Sequence, residues 1–237
     1  MTINQTRQLG IEFERRVQTM IPETEYAEKL DTDTIYSYLN QYQDMFIRDI
    51  YKSLGAIAQQ QHPSEYIETI LQTFLSYFAM NLENVDNQYQ AKLPSNFGLY
   101  VDSSTRVSSS YRMKTNAEDT SGVVSNVFVS QTIAQQFLMQ PSDSMRIIRN
   151  PIVYLDTNSR IKLICDRYTN PTTIGLHYYR MPKYMNLMES VPCELPMEVF
   201  ETLVSGAVDL YVQYVAGAEA RKRQIAEQQK QNAKNEQ

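Results

Sequence analysis

The sequence predicts an α+β fold: a helical N-terminal half made of one helix and a helical hairpin, a small antiparallel β meander, and a long C-terminal helix with a polar tail. Three observations carry this. From Thr6 to Leu82, apolar residues recur at alternating three- and four-residue steps, the period of helices buried on one face. From Arg146 to Met181 they alternate in twos, broken by the turn sequences Asp156-Thr157-Asn158-Ser159 and Asn170-Pro171. From Met197 to Gln228 the helical period returns without a proline or a turn cluster. The chain thus divides into a helical region over 1–83, a β-rich region with polar loops and a short helix over 84–195, and the long helix and tail over 196–237. Together they read as one compact domain with an extended arm.

In order, the first helix spans about Thr6 to Met20, with Leu9, Phe13, Val17 and Met20 on one stripe and Glu12 four residues before Arg16 as a surface pair. Ile21-Pro22 ends it. Asp33 is the expected N-cap of a second helix, whose stripe is Ile35, Tyr38, Leu39, Tyr42, Met45, Phe46, Ile50 and Leu54. His62-Pro63 breaks the pattern. Ser64 caps a third helix carrying Ile67, Ile70, Leu71, Phe74, Leu75, Phe78 and Leu82, and the two stripes suit a hairpin packed face to face. Short strands are expected at Leu99–Val101 and Val107–Met113, then a polar loop or finger from Lys114 to Gly122. Val123–Val129 carries no clear period. Ser130 caps a short helix, Gln131–Met139, stopped by Pro141. The meander strands are Arg146–Leu155, Ile161–Tyr168 and Thr172–Met181, with Ile174, Leu176 and Tyr178 facing one way and His177 and Tyr179 the other. Such a sheet needs a cover for its apolar face, and the C-terminal helix is the expected lid.

That last helix organises the reading. Pro192-Cys193-Glu194-Leu195-Pro196 forbids helix upstream and pre-sets its first turn. Phe200, Leu203, Ala207, Leu210 and Tyr214 form its expected core stripe, the pillar on which other elements pack. Val199, Val204, Val208, Tyr211 and Val215 lie on another side. After Ala218 the character turns polar.

The composition is globular, with 42% hydrophobic residues and no apolar run near the roughly 20 residues of a membrane span. The first residues lack a signal-peptide core, so a cytosol-like site of synthesis is expected. Two cysteines are too few for a disulfide framework. A net charge of −5 gives no broad attraction for nucleic acid. Seventeen tyrosines and no tryptophan fit either a chain rich in packed interfaces or the drift of an AT-rich genome.

Catalysis is hard to assemble from these residues. The seven glycines form neither a dinucleotide fingerprint nor a phosphate loop. His62 and His177 cannot make a histidine-rich metal site, and the carboxylates Asp31, Asp33, Glu118, Asp119, Asp156 and Asp166 are isolated or in turns. Cys165 and His177 lie on neighbouring predicted strands and form one candidate nucleophile–base pair, against the commoner role of cysteine as a small buried hydrophobe. No catalytic residue, metal ligand or cofactor is therefore assigned, and the chain is not expected to be an enzyme. Arg221, Lys222 and Arg223, followed by Gln224 and Gln228, admit three readings: charge favourable to a helix C-terminal half, contact with an acidic protein surface, or contact with DNA phosphates. Flanking Glu219 and Glu227 dilute the basic field and favour the protein contact.

Three linked stretches carry a resemblance. The first is Ile147-Ile148-Arg149-Asn150-Pro151-Ile152-Val153-Tyr154-Leu155, followed by Ile161–Tyr168. The second is Thr173-Ile174-Gly175-Leu176-His177-Tyr178-Tyr179-Arg180-Met181-Pro182-Lys183. The third is Cys193-Glu194-Leu195-Pro196, leading into Val199-Phe200-Glu201-Thr202-Leu203-Val204. In this order they resemble the head–tail connector proteins of tailed phages, of the adaptor or ring type seen in crAss-like and related podoviruses. Leu9-Gly10-Ile11-Glu12-Phe13-Glu14-Arg15-Arg16 is also similar to that family. The resemblance is close over roughly the last 90 residues and looser elsewhere.

It implies a virion structural protein, assembled in the host cytoplasm, in a ring of about twelve subunits beneath the portal; unlike surfaces of neighbouring subunits meet, and rotation closes the ring. Such a ring joins capsid to tail and lines the DNA exit channel. The implied partners are copies of itself, the portal protein, adjacent ring or tail proteins, and DNA passing without sequence recognition, with no membrane. The segment from Arg221 to Gln237 becomes the docking arm. Two alternatives remain at this stage, another tail or hub component and a DNA-packaging accessory protein.

Overall fold

The computed structural model describes residues 1–20, 30–57, 65–86, 88–109, 122–139, 150–165 and 169–235. In chain order the elements are helices α1 (Ile3–Met20), α2 (Thr32–Ile57) and α3 (Glu65–Phe74). Six strands follow: β1 (Leu75–Asn81), β2 (Glu83–Val85), β3 (Gln88–Lys92), β4 (Phe97–Ser109), β5 (Gly122–Ser125) and β6 (Val127–Phe128). Then come α4 (Gln131–Met139), β7 (Ile152–Asp156), β8 (Arg160–Ile164), β9 (Thr169–Arg180) and α5 (Phe200–Asn235), the last preceded by a 3-10 turn at Met197–Val199. The class is α+β, as the sequence predicts. Two compact units divide the chain, one from Met1–Thr73 with Pro182–Gln237, the other from Phe74–Met181. This differs from the three-way sequence division, because the C-terminal helix joins the N-terminal helices and the β region stands as an insert between them.

In the helical unit, α5 packs on α2 and α1. Leu9, Phe13 and Val17 of α1 are fully buried while Met20 is exposed. Arg16 ties α1 to α5, donating to Glu12 at 2.9 Å, Glu201 at 2.7 Å and the Ser205 hydroxyl at 2.8 Å. The N-cap of α2 is Asp31, not Asp33: the Asp31 carboxylate accepts the Thr34 N–H at 2.6 Å, and the helix begins two residues earlier than expected. On α2 the buried residues are Ile35, Tyr36, Leu39, Gln43, Ile47, Ile50 and Tyr51, whereas Met45 is exposed.

Burial on α5 shifts the pillar. Val199 in the turn and Leu203, Val204, Ala207, Val208, Tyr211 and Val215 are inside, Phe200 and Leu210 are half-buried, and Tyr214 is 60% exposed. The seam therefore merges Leu203 and Ala207 of the expected stripe with the valine set, because the side facing α1 and α2 lies between the two stripes. Tyr211 is the aromatic hub, edge-on to Phe13 at 6.0 Å and to Tyr38 at 5.2 Å. Gly206 permits the close approach of α2: a Cβ there would overlap the Tyr42 ring.

The third helix is shorter than its apolar period. It ends at Phe74, and Leu75–Asn81 form a strand paired with β9 over seven residues. Leu75, Phe78 and Leu82 keep the helical spacing, but Ser76-Tyr77-Phe78 is equally at home in a strand, and the β9 ladder decides. Among the described residues α2 packs mainly on α5 and α1, so the expected face-to-face hairpin with α3 is replaced by a three-helix seam.

The second unit is a two-sheet sandwich. One sheet has the order β1-β9-β4-β5, all antiparallel; the other runs β2-β3-β8-β7-β6, with β6 parallel to β7. Only part of the predicted meander holds: β7 and β8 form a hairpin across Asp156–Ser159, while β9 crosses to the other sheet, between β1 and β4. The apolar faces cover each other, Met80, Ile174, Leu176 and Tyr178 meeting Ala91, Leu93, Val153, Ile161 and Leu163. The sheets thus cover one another's apolar faces and need no helical lid, the role expected of the C-terminal helix. The two short strands expected around Leu99 and Val107 are one strand, β4, which three register shifts bend along β9. Val123–Val129 resolves into β5 and β6, and Ser130 caps α4 through the Ile133 N–H at 3.4 Å. Of the predicted finger, 114–121 lie outside the described residues, as do Arg146–Arg149, Asp166–Tyr168 and the breaks at Ile21-Pro22 and His62-Pro63.

Leu203→Ala is expected to cost about 2–5 kcal/mol in denaturant unfolding through the cavity it leaves. Tyr214→Ala should cost under about 1 kcal/mol. Equal losses would restore the original stripe.

Candidate interaction surfaces

The motif stretches of the helical unit form an irregular strap over Pro182–Pro196, which has little backbone pairing of its own beyond the bridge Asn186–Val191. Side chains of α1 and α2 supply what a sheet would have supplied. Asn40 clamps Met185 at both ends, accepting its N–H at 2.8 Å and donating to its carbonyl at 3.1 Å. Gln43, fully buried, donates to the Lys183 carbonyl at 3.1 Å and accepts the Cys193 thiol at 3.5 Å. The Thr6 hydroxyl accepts the Cys193 N–H at 2.9 Å and donates to the Thr2 carbonyl at 3.0 Å. The Met1 ammonium donates to the carbonyls of Cys193 and Leu195 at 2.9 and 3.1 Å. Glu194 folds back to accept the Lys183 N–H at 2.9 Å, and the Tyr184 hydroxyl donates to Asp44 at 2.8 Å. Cys-Glu-Leu-Pro is thus a structural lock. Burial pushes the Cys193 thiol up to about 11, the reverse of what a nucleophile needs. Outside the lock, Asn40, Asp44, Met45, Arg48 and Tyr184 border a shallow polar recess on the exposed side of α2.

The β unit presents the outer face of the β1-β9-β4-β5 sheet. The His177 imidazole donates from Nδ1 to Asp102 at 2.6 Å on the facing strand and packs against the Tyr77 ring, 4.9 Å between centroids. Tyr77 lies across Gly175, where a Cβ would come within 2.6 Å of the tyrosine hydroxyl, so the missing side chain makes room for the ring. Ala79, Ser104, Arg106, Val123 and Thr173 complete a shallow trough beside it. Cys165 is on the other side of this strand layer: it packs against the core that contains Leu176 and Tyr178, and its thiol points to the Thr169 carbonyl at 3.9 Å. The thiol and the imidazole therefore face opposite ways, and the Cys165–His177 pair does not form.

Among the described residues β1 is one edge strand of this sheet and β5 the other. The β1 sequence, Leu-Ser-Tyr-Phe-Ala-Met-Asn, has no charge and no proline, and its pairing with β9 runs without a register shift. Leu75, Tyr77 and Phe78 are 48%, 59% and 46% exposed. Edges of this kind are usually blunted by lysine, proline or bulges, and this one carries none of them. Sequence reasoning missed it by assigning these residues to a helix.

The C-terminal segment continues α5 to Asn235. Among the residues whose side chains are described Val215 is the last buried one, and the backbone continues helical for twenty residues after it. The side chains of Arg221, Lys222, Arg223, Gln224 and Gln228 lie outside the described residues.

Among the described residues no three His, Cys, Asp or Glu side chains gather as a metal site, and no helix is long and apolar enough to cross a membrane. No protein-family model matches the chain, and no curated protein is significantly similar to it.

Thr6→Val keeps the shape but strands the buried Cys193 N–H, and should lower unfolding stability by about 1–3 kcal/mol, measured by denaturant titration. The thiol makes a second test. Because the fold holds Cys193 protonated, its contribution is complete below the ordinary thiol range near pH 9 and is lost as pH rises towards 11. Wild type should therefore lose on the order of 2 kcal/mol more than Cys193→Ala between pH 9 and 11. Parallel pH slopes would show the thiol exposed to solvent.

Proposed function

We propose that this chain is a virion structural protein of the head–tail connector, forming a ring of about twelve subunits beneath the portal that joins capsid to tail and surrounds the DNA exit channel. The observation that carries the reading is the length of α5. Twenty residues of helix beyond Val215 extend about 30 Å at 1.5 Å per residue. Their sequence, rich in Gln, Glu, Lys, Arg and Ala with Ile225 as its one large apolar residue, offers little for the chain's own core. A helix of that length is marginal in water unless something packs on it. A docking arm that reaches the portal or a neighbouring ring component supplies that partner, with Arg221, Lys222 and Arg223 meeting acidic side chains and Gln224 and Gln228 adding hydrogen bonds.

The motif order of the connector family supports the same reading, since its Tyr-x-Arg-x-Pro-Lys and Cys-Glu-Leu-Pro stretches end in the strap that locks α5 to α1 and α2. A rigid base for a projecting helix is what an arm requires. The net charge of −5 suits a channel through which DNA slides without being held.

Deleting Glu219–Gln237 should leave the unfolding midpoint within about 0.5 kcal/mol of wild type, because the deleted residues follow the buried seam. Binding to the portal protein, or ring formation seen by native mass measurement and particle imaging, should weaken at least tenfold. A full-length chain that stays monomeric with and without portal protein overturns the ring. A truncated chain that assembles normally overturns the arm.

A further inference from the structure

We propose that the β1-β9-β4-β5 sheet continues from one subunit into the next, β1 of one copy pairing antiparallel with β5 of its neighbour. The proposal rests on the ring-forming reading above and names its contact surface. Three observations on this sheet lead to it.

The first is that, among the described residues, neither edge has a further strand on it. β1 has seven residues without charge or proline, and β5, Gly122-Val123-Val124-Ser125, has none either. Val123 is 63% exposed, and Leu75 and Tyr77 flank the other edge in the same way. Bare N–H and C=O groups along such edges are templates for a further strand.

The second is strand direction. β1 is antiparallel to β9, β9 to β4, and β4 to β5. With four alternating strands, the two edges run in opposite directions. A copy related by rotation about an axis along the strands brings its β1 beside β5 antiparallel, and the alternation passes the junction without a break. Two-fold pairing of β1 with β1 would instead invert one subunit and leave both β5 edges bare. For a second copy, which the ring reading supplies, the topology therefore selects head-to-tail contact, the kind that closes by rotation.

The third is the size of the contact. β5 offers four residues, far short of the roughly 20–30 residues a side in a stable pair. A dimer held this way is weak, whereas closing a ring gives every subunit two such contacts at once. Ring formation should accordingly be steep in concentration, with little free dimer.

The side chains fit the junction. Tyr77 and Ala79 on one edge and Val123 on the other line the same trough of the outer face. At the junction Val123 would lie beside the neighbour's Ala79 and Tyr77, an aliphatic and aromatic seam of the type that stabilises antiparallel neighbours.

Cross-linking tests the pairing directly. Ala79 and Val123 of one subunit are separated by two intervening strands, about 14 Å at 4.8 Å per strand spacing, beyond the reach of a disulfide. Full-length chains carrying Ala79→Cys or Tyr77→Cys together with Val123→Cys, at concentrations where wild type forms rings, should oxidise into ladders of chain multiples. Each single variant, which also reports on native Cys165 and Cys193, should not. Ala79→Lys and Val123→Lys, both at exposed positions, should keep the wild-type circular dichroism and unfolding midpoint while lowering ring formation at least tenfold. Rings that form normally in the lysine variants, without ladders in the double-cysteine chains, overturn the pairing and leave the ring reading standing. Wild type that remains monomeric at all concentrations, alone and with portal protein, overturns both.

Discussion

A strap without secondary structure is stable here only because its backbone is answered by side chains. The Cys193 N–H is buried with no strand or helix to receive it, and an unpaired donor in that place would cost a large part of a domain's net stability. The Thr6 hydroxyl takes it, and the same hydroxyl is held by the Thr2 carbonyl one turn back. The Tyr36 hydroxyl in turn donates to the Thr6 carbonyl at 2.8 Å, so α2 fixes the turn of α1 that fixes the strap. The 3-10 turn and α5 start directly from that point, with Leu195 and Val199 fully buried behind it. The direction in which the long helix leaves the unit is thus set by a few polar contacts at its root, and the aromatic seam around Tyr211 then holds it along its length.

The β unit solves the same problem differently. Its backbone groups pair in two ladders, its apolar faces cover one another, and its polar chemistry is left on an open outer face. The hydrogen bond between His177 and Asp102 is solvent-exposed and contributes little to stability. What is distinctive is the combination of that dressed face with edges that carry no further strand among the described residues. A sheet whose middle is finished and whose margins are not is suited to being one segment of something longer.

Much of this was legible in the sequence where one rule acted alone. The 3.6-residue period located α1, α2 and α5, the Ser130 cap located α4, and the alternation of Ile174, Leu176 and Tyr178 located the buried face of β9. The failures share a cause. Leu75, Phe78 and Leu82 fit a helix by spacing, but backbone pairing with β9 lies more than ninety residues along the chain and no local pattern announces it. The choice of partner for the C-terminal helix was invisible for the same reason: period says that a face is buried, not against what. The stripe on α5 was misplaced because both of its candidate faces are apolar, and only the positions of Phe13, Tyr38 and Tyr42 select between them. Asp31 and Asp33 are equivalent as cap residues, and one hydrogen bond to Thr34 separates them. The site chemistry divided likewise. Cys-Glu-Leu-Pro stood out as a motif, but its role in satisfying backbone donors needed Thr6, some 190 residues away.

The insertion of Phe74–Met181 into the helical unit also sets an order of events during synthesis. α1 and α2 leave the ribosome with Leu9, Phe13, Leu39 and Ile47 ready for a partner that is encoded only after Pro196. At typical translation speeds of about 5–20 residues per second, the intervening segment alone occupies several seconds. The β sandwich is complete by Met181 and can close during that interval, while the first helices wait with an uncovered seam. Until α5 emerges, that seam is open to chaperones and to other nascent copies, so the last helix made is also the one that ends the chain's most vulnerable period.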